Sequence, residues 1–209
     1  MNTSFLTSLE SARWPVVFRT YGCSHSTLVG LLVDWWISQA PGNRWALEGG
    51  PSFGFFSKGI GGGICDAVLG EGDTSRGVCE VEGSRYEDTL RKIGSFFSSD
   101  LRDLQTLEFG VFLAYPTSPE GRGAARHMRA VPAGALLELG KEVTRANPGK
   151  SLVILALEKE WERQCPGPRA RNDYYRATPT QVRGWLLLNG DVLLDDFLVG
   201  ARLLAGDES

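Results

Sequence analysis

The sequence predicts an α/β fold: a Rossmann-like three-layer sandwich with a mostly parallel five-stranded sheet and C-terminal helices. Three observations lead there. Short runs rich in β-branched and aromatic residues alternate with stretches whose apolar residues recur at helical spacing. Glycine is abundant, at 26 of 209 residues, and it gathers between residues 49 and 72. The run Phe109-Gly-Val-Phe-Leu-Ala-Tyr115 is almost wholly apolar, as befits a strand covered on both faces.

Residues 1–13 form a polar lead. Trp14 to Tyr21 is a first strand, closed by Gly22. Ser24, His25 and Ser26 offer N-caps for a helix from Thr27 to Ser38, in which Leu28, Leu31, Leu32, Trp35 and Trp36 recur at helical spacing, although adjacent Trp35 and Trp36 are not expected to face one side together. Pro41-Gly42 stops it, and Arg44 to Glu48 is a second strand that runs into Gly49-Gly50-Pro51. A short helix is expected over Ile60–Leu69, a third strand over Gly77–Val81, and a helix over Tyr86–Leu104.

Phe109–Tyr115 is the fourth strand, followed by a Gly/Pro-rich loop from Pro116 to Gly123. Ala124–Ala146 reads as a helix in two pieces about Pro132, and Ser151–Leu157 as the fifth strand. Glu158 to Pro179 is charged and loop-like, with a Pro-Gly-Pro break at 166–168. Two closing helices, Pro179–Leu188 and Val192–Leu204, flank Asn189-Gly190. Residues 1–157 then make the nucleotide-binding part, and 158–209 a helical extension packed on it within a single domain. The apolar face of the last helix must be buried, on its own sheet or in a homo-oligomer.

The balance of 42% hydrophobic and 22% charged residues suits a globular core. A net charge of −3 and a pI near 5.5 argue against a generally basic surface for nucleic acid or anionic membrane, though a local basic patch is compatible with them. The four cysteines form no C-x-x-C pair, which argues against a zinc ribbon or thioredoxin-like motif. No signal-like segment or membrane-length apolar run occurs, so the expected compartment is cytoplasmic.

Two loops carry the chemistry in this reading. A strand enters Gly49-Gly50 and Ser52, and glycines lead on toward a helix; glycine backbone and free helix N–H groups accept phosphate. The loop after the fourth strand offers Thr117, Ser118, Gly121, Arg122 and Gly123, hydroxyls and amides with a guanidinium suited to phosphate or ribose.

The order of elements, with Leu47-Glu48-Gly49-Gly50, Gly63-Ile-Cys-Asp-Ala-Val-Leu and Val111-Phe-Leu-Ala-Tyr-Pro, resembles the SLOG superfamily over residues 14–157. That group includes lonely-guy phosphoribohydrolases, DNA-processing protein A and sensor domains of melastatin-type channels. The resemblance implies a bound nucleotide (NAD, ADP-ribose or another) held as a sensor or processing protein would hold it. It implies Arg91 as the catalytic arginine and Glu120 as the carboxylate of the second loop. The loop lacks the family's Pro-Gly-Gly-x-Gly-Thr-x-x-Glu spacing, which sets turnover apart from binding.

Alternatives stand beside it. Val17-Phe18-Arg19-Thr20 resembles the first strand of ADP-ribosyltransferases, with Ser118 and Glu158/Glu160 in the serine and Glu-x-Glu roles. Either route is N-glycosidic cleavage. A Cys/His hydrolase would use Cys23 with His25 or His127. A protein-interaction or immunity protein without catalysis is the remaining class. No metal site is expected.

Overall fold

The computed structural model describes residues 8–12, 14, 25–47, 65–83, 86–94, 96–97, 107–117, 131–164 and 174–196. A short 3-10 turn (Ser8–Ser11) precedes helix α1 (His25–Ser38), which buries Leu28, Leu31, Leu32, Trp35 and Trp36. These five positions recur at helical spacing, so one stripe faces the sheet. Then come β1 (Arg44–Leu47), β2 (Ala67–Glu71), β3 (Thr74–Glu82), α2 (Tyr86–Gly94), β4 (Phe109–Thr117), α3 (Ala133–Ala146), β5 (Ser151–Gln164), β6 (Tyr174–Leu188) and β7 (Asp191–Leu194).

The strands form one seven-stranded sheet in chain order. Only β3–β4 and β4–β5 pair in parallel; β1–β2, β2–β3, β5–β6 and β6–β7 are antiparallel. The expected mostly parallel, five-stranded Rossmann-like sheet is therefore corrected to a mixed sheet with a parallel centre and antiparallel wings. Helices do cover both faces. Helix α1 packs on one with Cys79, Val81, Val111 and Leu155, while residues of α2 and α3 (Ile93, Leu136, Val143) pack on the other with Val78, Phe112 and Ile154.

Two local errors explain the difference. The helix expected over 60–69 ends in strand β2, whose Ala67, Val68 and Leu69 are all buried. Three consecutive apolar residues fit a doubly covered strand and a buried helix equally, and periodicity does not separate them. A Cβ on Gly70 would collide with the Trp45 indole, so glycine there lets the β1 side chain lie across β2.

The helix expected over Pro179–Leu188 lies in strand β6, and the start of the one expected over Val192–Leu204 lies in β7, residues 197–204 being outside the described residues. Asn189 (φ 54°) and Gly190 (φ 88°) both take left-handed conformations, the geometry of a two-residue I′ hairpin turn. β5 also runs on to Gln164, through residues expected to be a loop. Helix α2 stops at Gly94, and α3 begins directly after Pro132, whose ring is tolerated at a helix start. Among the described residues, no helix is long and apolar enough to cross a membrane.

A buried acidic cluster as the candidate functional site

Strand alternation sends Val78, Glu80 and Glu82 to the α2 face of β3, and Cys79 and Val81 to the α1 face. Glu80 is 1% exposed and Glu82 8%. Two carboxylates in an apolar layer are costly unless paired. Their partner is Lys92, on the last turn of α2, whose Nζ reaches Glu80 Oε1 and Glu82 Oε2. Buried Thr89 and Ile93 seat that helix so that Lys92 faces the strand. Glu82 also accepts the Gly83 N–H at 3.0 Å.

A third carboxylate comes from Asp66, just before β2. Its backbone N–H donates to Glu80 Oε2 at 3.2 Å, and its Oδ2 accepts the Val81 N–H at 2.7 Å. Its Oδ1 lies 3.2 Å from Nε2 of His25, the first residue of α1. The β2–β3 register, Ala67 opposite Cys79, sets Asp66 beside Glu80 although fourteen positions separate them. The Asp66, Glu80, Glu82, Lys92 and His25 side chains thus gather at the carboxyl end of the parallel strands β3 and β4. In open α/β sheets that end is where ligands settle.

Burial dominates the electrostatics. It raises the Glu80 pKa to about 7, with the Asp66 charge pushing the same way and Lys92 offsetting part of the effect. Burial also raises the Asp66 carboxyl, against the Val81 N–H, His25 and Lys92. Burial opposes the Lys92 charge, yet Glu80 and Glu82 outweigh it and hold the ammonium protonated above its ordinary value. Cys65 and Cys79 border the cluster, and burial followed by the nearby carboxylates pushes the Cys65 thiol up to about 12 and Cys79 upward as well. Neither is a thiolate nucleophile at neutral pH.

Among the described residues, no three His, Cys, Asp or Glu side chains form a ready-made metal cage. Magnesium makes a different demand: it keeps several waters and takes one or two carboxylates plus substrate phosphate. Asp66 and Glu80 are two carboxylate residues made neighbours by the Asp66 N–H, which donates to Glu80 Oε2.

The residues expected from sequence fall elsewhere. Arg91 is exposed on α2, one position before Lys92, and Thr117 ends β4. Gly49, Gly50, Ser52, Ser118, Glu120, Gly121, Arg122 and Gly123 lie outside the described residues, as do Arg19, Cys23 and His127. Glu158 and Glu160 lie in β5, and His25 meets Asp66. The helix that was to offer amides beyond the glycine turn is replaced, at 67–71, by β2. Sequence reading missed Asp66, Glu80, Glu82 and Lys92. One signal was available: Glu80-Val81-Glu82 places two charges in alternation within a run otherwise suited to burial.

No model of a known protein family, no curated protein and no solved structure matches this chain.

Proposed function

We propose that this chain is a divalent-cation-dependent phosphodiesterase acting on the backbone of a nucleic acid. The supporting observation is the union of Asp66, Glu80 and Lys92, acid pair and fixed ammonium, at the carboxyl end of the parallel strands β3 and β4. Two carboxylates buried against one lysine, with a third partly buried beside them, are poor for stability, and costly polar groups of this kind concentrate where chemistry is done.

Asp66 and Glu80 would hold the cation, which supplies Lewis-acid stabilisation of the phosphoryl oxygens and an acidified water. Lys92 presents its ammonium beside Glu80, where it orients the attacking water and offsets charge that grows on the phosphoryl oxygens. Glu82 positions Lys92. The Val81 N–H and His25 fix the Asp66 carboxylate in one orientation.

The substrate class follows from charge placement. The chain is acidic overall, but the stretches of sequence that join these elements hold several arginines. Arg85 lies between β3 and α2, Arg122, Arg126 and Arg129 between β4 and α3, and Arg169 and Arg171 between β5 and β6. Guanidinium groups pair with phosphate oxygens and give salt-dependent affinity for a polyanion.

The test is hydrolysis of bis(p-nitrophenyl) phosphate and of labelled oligonucleotides with magnesium or manganese. Cleavage should stop with EDTA and in Asp66→Asn. Absence of cation-dependent cleavage of either substrate, or full activity in Asp66→Asn, would overturn the reading.

A further inference from the structure

Asn189 is the one asparagine of the chain that a glycine follows, and it is exposed in the turn between β6 and β7. That pair carries chemistry of its own. Glycine sets no Cβ beside its nitrogen, so the Gly190 nitrogen lacks the crowding that keeps other residues from closing a cyclic imide on the preceding side-chain amide.

The fold ties down both reacting groups. The Gly190 N–H donates to Thr144 Oγ1 at 3.1 Å, and both residues are buried, Thr144 with 0% exposure. Asn189 Oδ1 accepts the Gly149 N–H at 2.9 Å, which anchors the side-chain amide to the connection between α3 and β5. Closure of the imide needs the Gly190 proton removed, and here that proton is shared with a buried hydroxyl instead of with water. Both hydrogen bonds run from the hairpin to α3 and the segment after it. The turn must therefore lift from α3 before solvent base reaches the nitrogen, the kind of local opening that also governs amide hydrogen exchange.

We propose that Asn189 is a site of spontaneous deamidation that the native fold keeps shut, with the Thr144–Gly190 hydrogen bond as its latch. Once the turn opens, solvent base takes the Gly190 N–H proton and the nitrogen attacks Cγ of Asn189. The N–Cγ bond forms, the Cγ–Nδ2 bond breaks, and ammonia leaves with a proton taken from water. A second water then opens the imide at either carbonyl. Opening at Cγ gives aspartate, which still offers the Gly149 N–H an acceptor. Opening at the main-chain carbonyl gives isoaspartate, whose backbone runs through the side-chain carbon and is one methylene longer. That extra length does not fit a two-residue turn whose flanks, Leu188 and Asp191, are directly paired. Deamidation thus turns a transient opening of the hairpin into a lasting one.

The experiment is mass mapping of the tryptic peptide 184–202, in which Asn189 is the sole amide side chain, after incubation in mildly alkaline buffer with and without urea. The unfolded chain should convert Asn189 to acid, mostly as isoaspartate, and the native protein should do so at least about tenfold more slowly. That comparison needs no variant. Thr144→Val keeps the shape of the side chain but leaves the Gly190 N–H without its acceptor, so it should convert about tenfold faster than native wild type. Thr144→Ser, which keeps the hydroxyl, should convert at the wild-type rate. Asn189→Asp should keep the wild-type melting temperature, whereas protein aged in urea and refolded with isoaspartate should melt lower. Absence of conversion in urea, native conversion as fast as unfolded, or a folded Thr144→Val protein no faster than wild type overturns the inference. So does a Thr144→Ser protein as fast as Thr144→Val, or equal melting of the isoaspartate protein and wild type.

Discussion

Lys92 on α2 and Glu80 on β3 form an ion pair in which the carboxylate side chain is 1% exposed and the ammonium side chain 26%. The pair joins the second helix to the sheet across an otherwise apolar layer. Such a pair adds little net stability over an apolar one, but breaking it strands a buried charge.

Lys92→Met should therefore destabilise the fold by about 3 kcal/mol, since Glu80 and Glu82 lose their shared cation. Adding Glu80→Gln should restore much of that loss without restoring activity. Urea unfolding of the two single variants and the double variant gives the coupling energy. Additive effects would mean that the two residues do not act as a pair.

The Glu80 carboxyl, raised to about 7 from an ordinary 4.5, sets a pH dependence of stability. The native state binds its proton more tightly than the unfolded chain does. Its contribution is fully present below the ordinary value and is lost as pH rises through about 7. The raised Asp66 carboxyl acts in the same direction. Wild-type stability should fall between about pH 5 and pH 8. Glu80→Gln should flatten that fall and gain up to about 3 kcal/mol at the upper end. Thermal melts across this range decide it.

Cation binding needs the same carboxylate ionised, so protons and metal compete for it. Magnesium should raise the melting temperature more at about pH 8 than at about pH 6, and at subsaturating cation the hydrolysis rate should climb through about 7. Asp66→Asn should abolish the magnesium shift. A shift of equal size in Asp66→Asn would place the cation elsewhere.

The β6–β7 turn is a position where side-chain type decides the backbone. Gly190 has φ 88°, and its N–H donates to Thr144 Oγ1 at 3.1 Å, tying the hairpin to α3. Gly190→Val should cost about 1–2 kcal/mol, because a β-branched residue resists the left-handed region. Denaturant unfolding would register the loss, while activity, measured below the transition, should persist.

Particular residues show how far the sequence could be read. Leu28, Leu31, Leu32, Trp35 and Trp36 announce α1 through their spacing, and all five are buried. Phe109–Tyr115 and Ser151–Leu157 announce β4 and β5 through continuous apolar runs. Asn189-Gly190 also carried a local message, the strongest short hairpin signal a sequence offers. It was obscured because leucines dominate its flanks and suit helix and strand alike.

Sequence by itself determined the elements whose burial repeats at short range: α1, the three central strands, and the glycine at the β6–β7 turn. Tertiary structure alone decided that β2 is a strand, that the sheet is mixed, and that Asp66, Glu80, Glu82, Lys92 and His25 share one end of it. The physical reason is range. Helix stripes and strand alternation are set by neighbours within a turn or two, whereas the acidic cluster exists only once the Ala67–Cys79 register and the docking of two helices bring distant charges within hydrogen-bond reach.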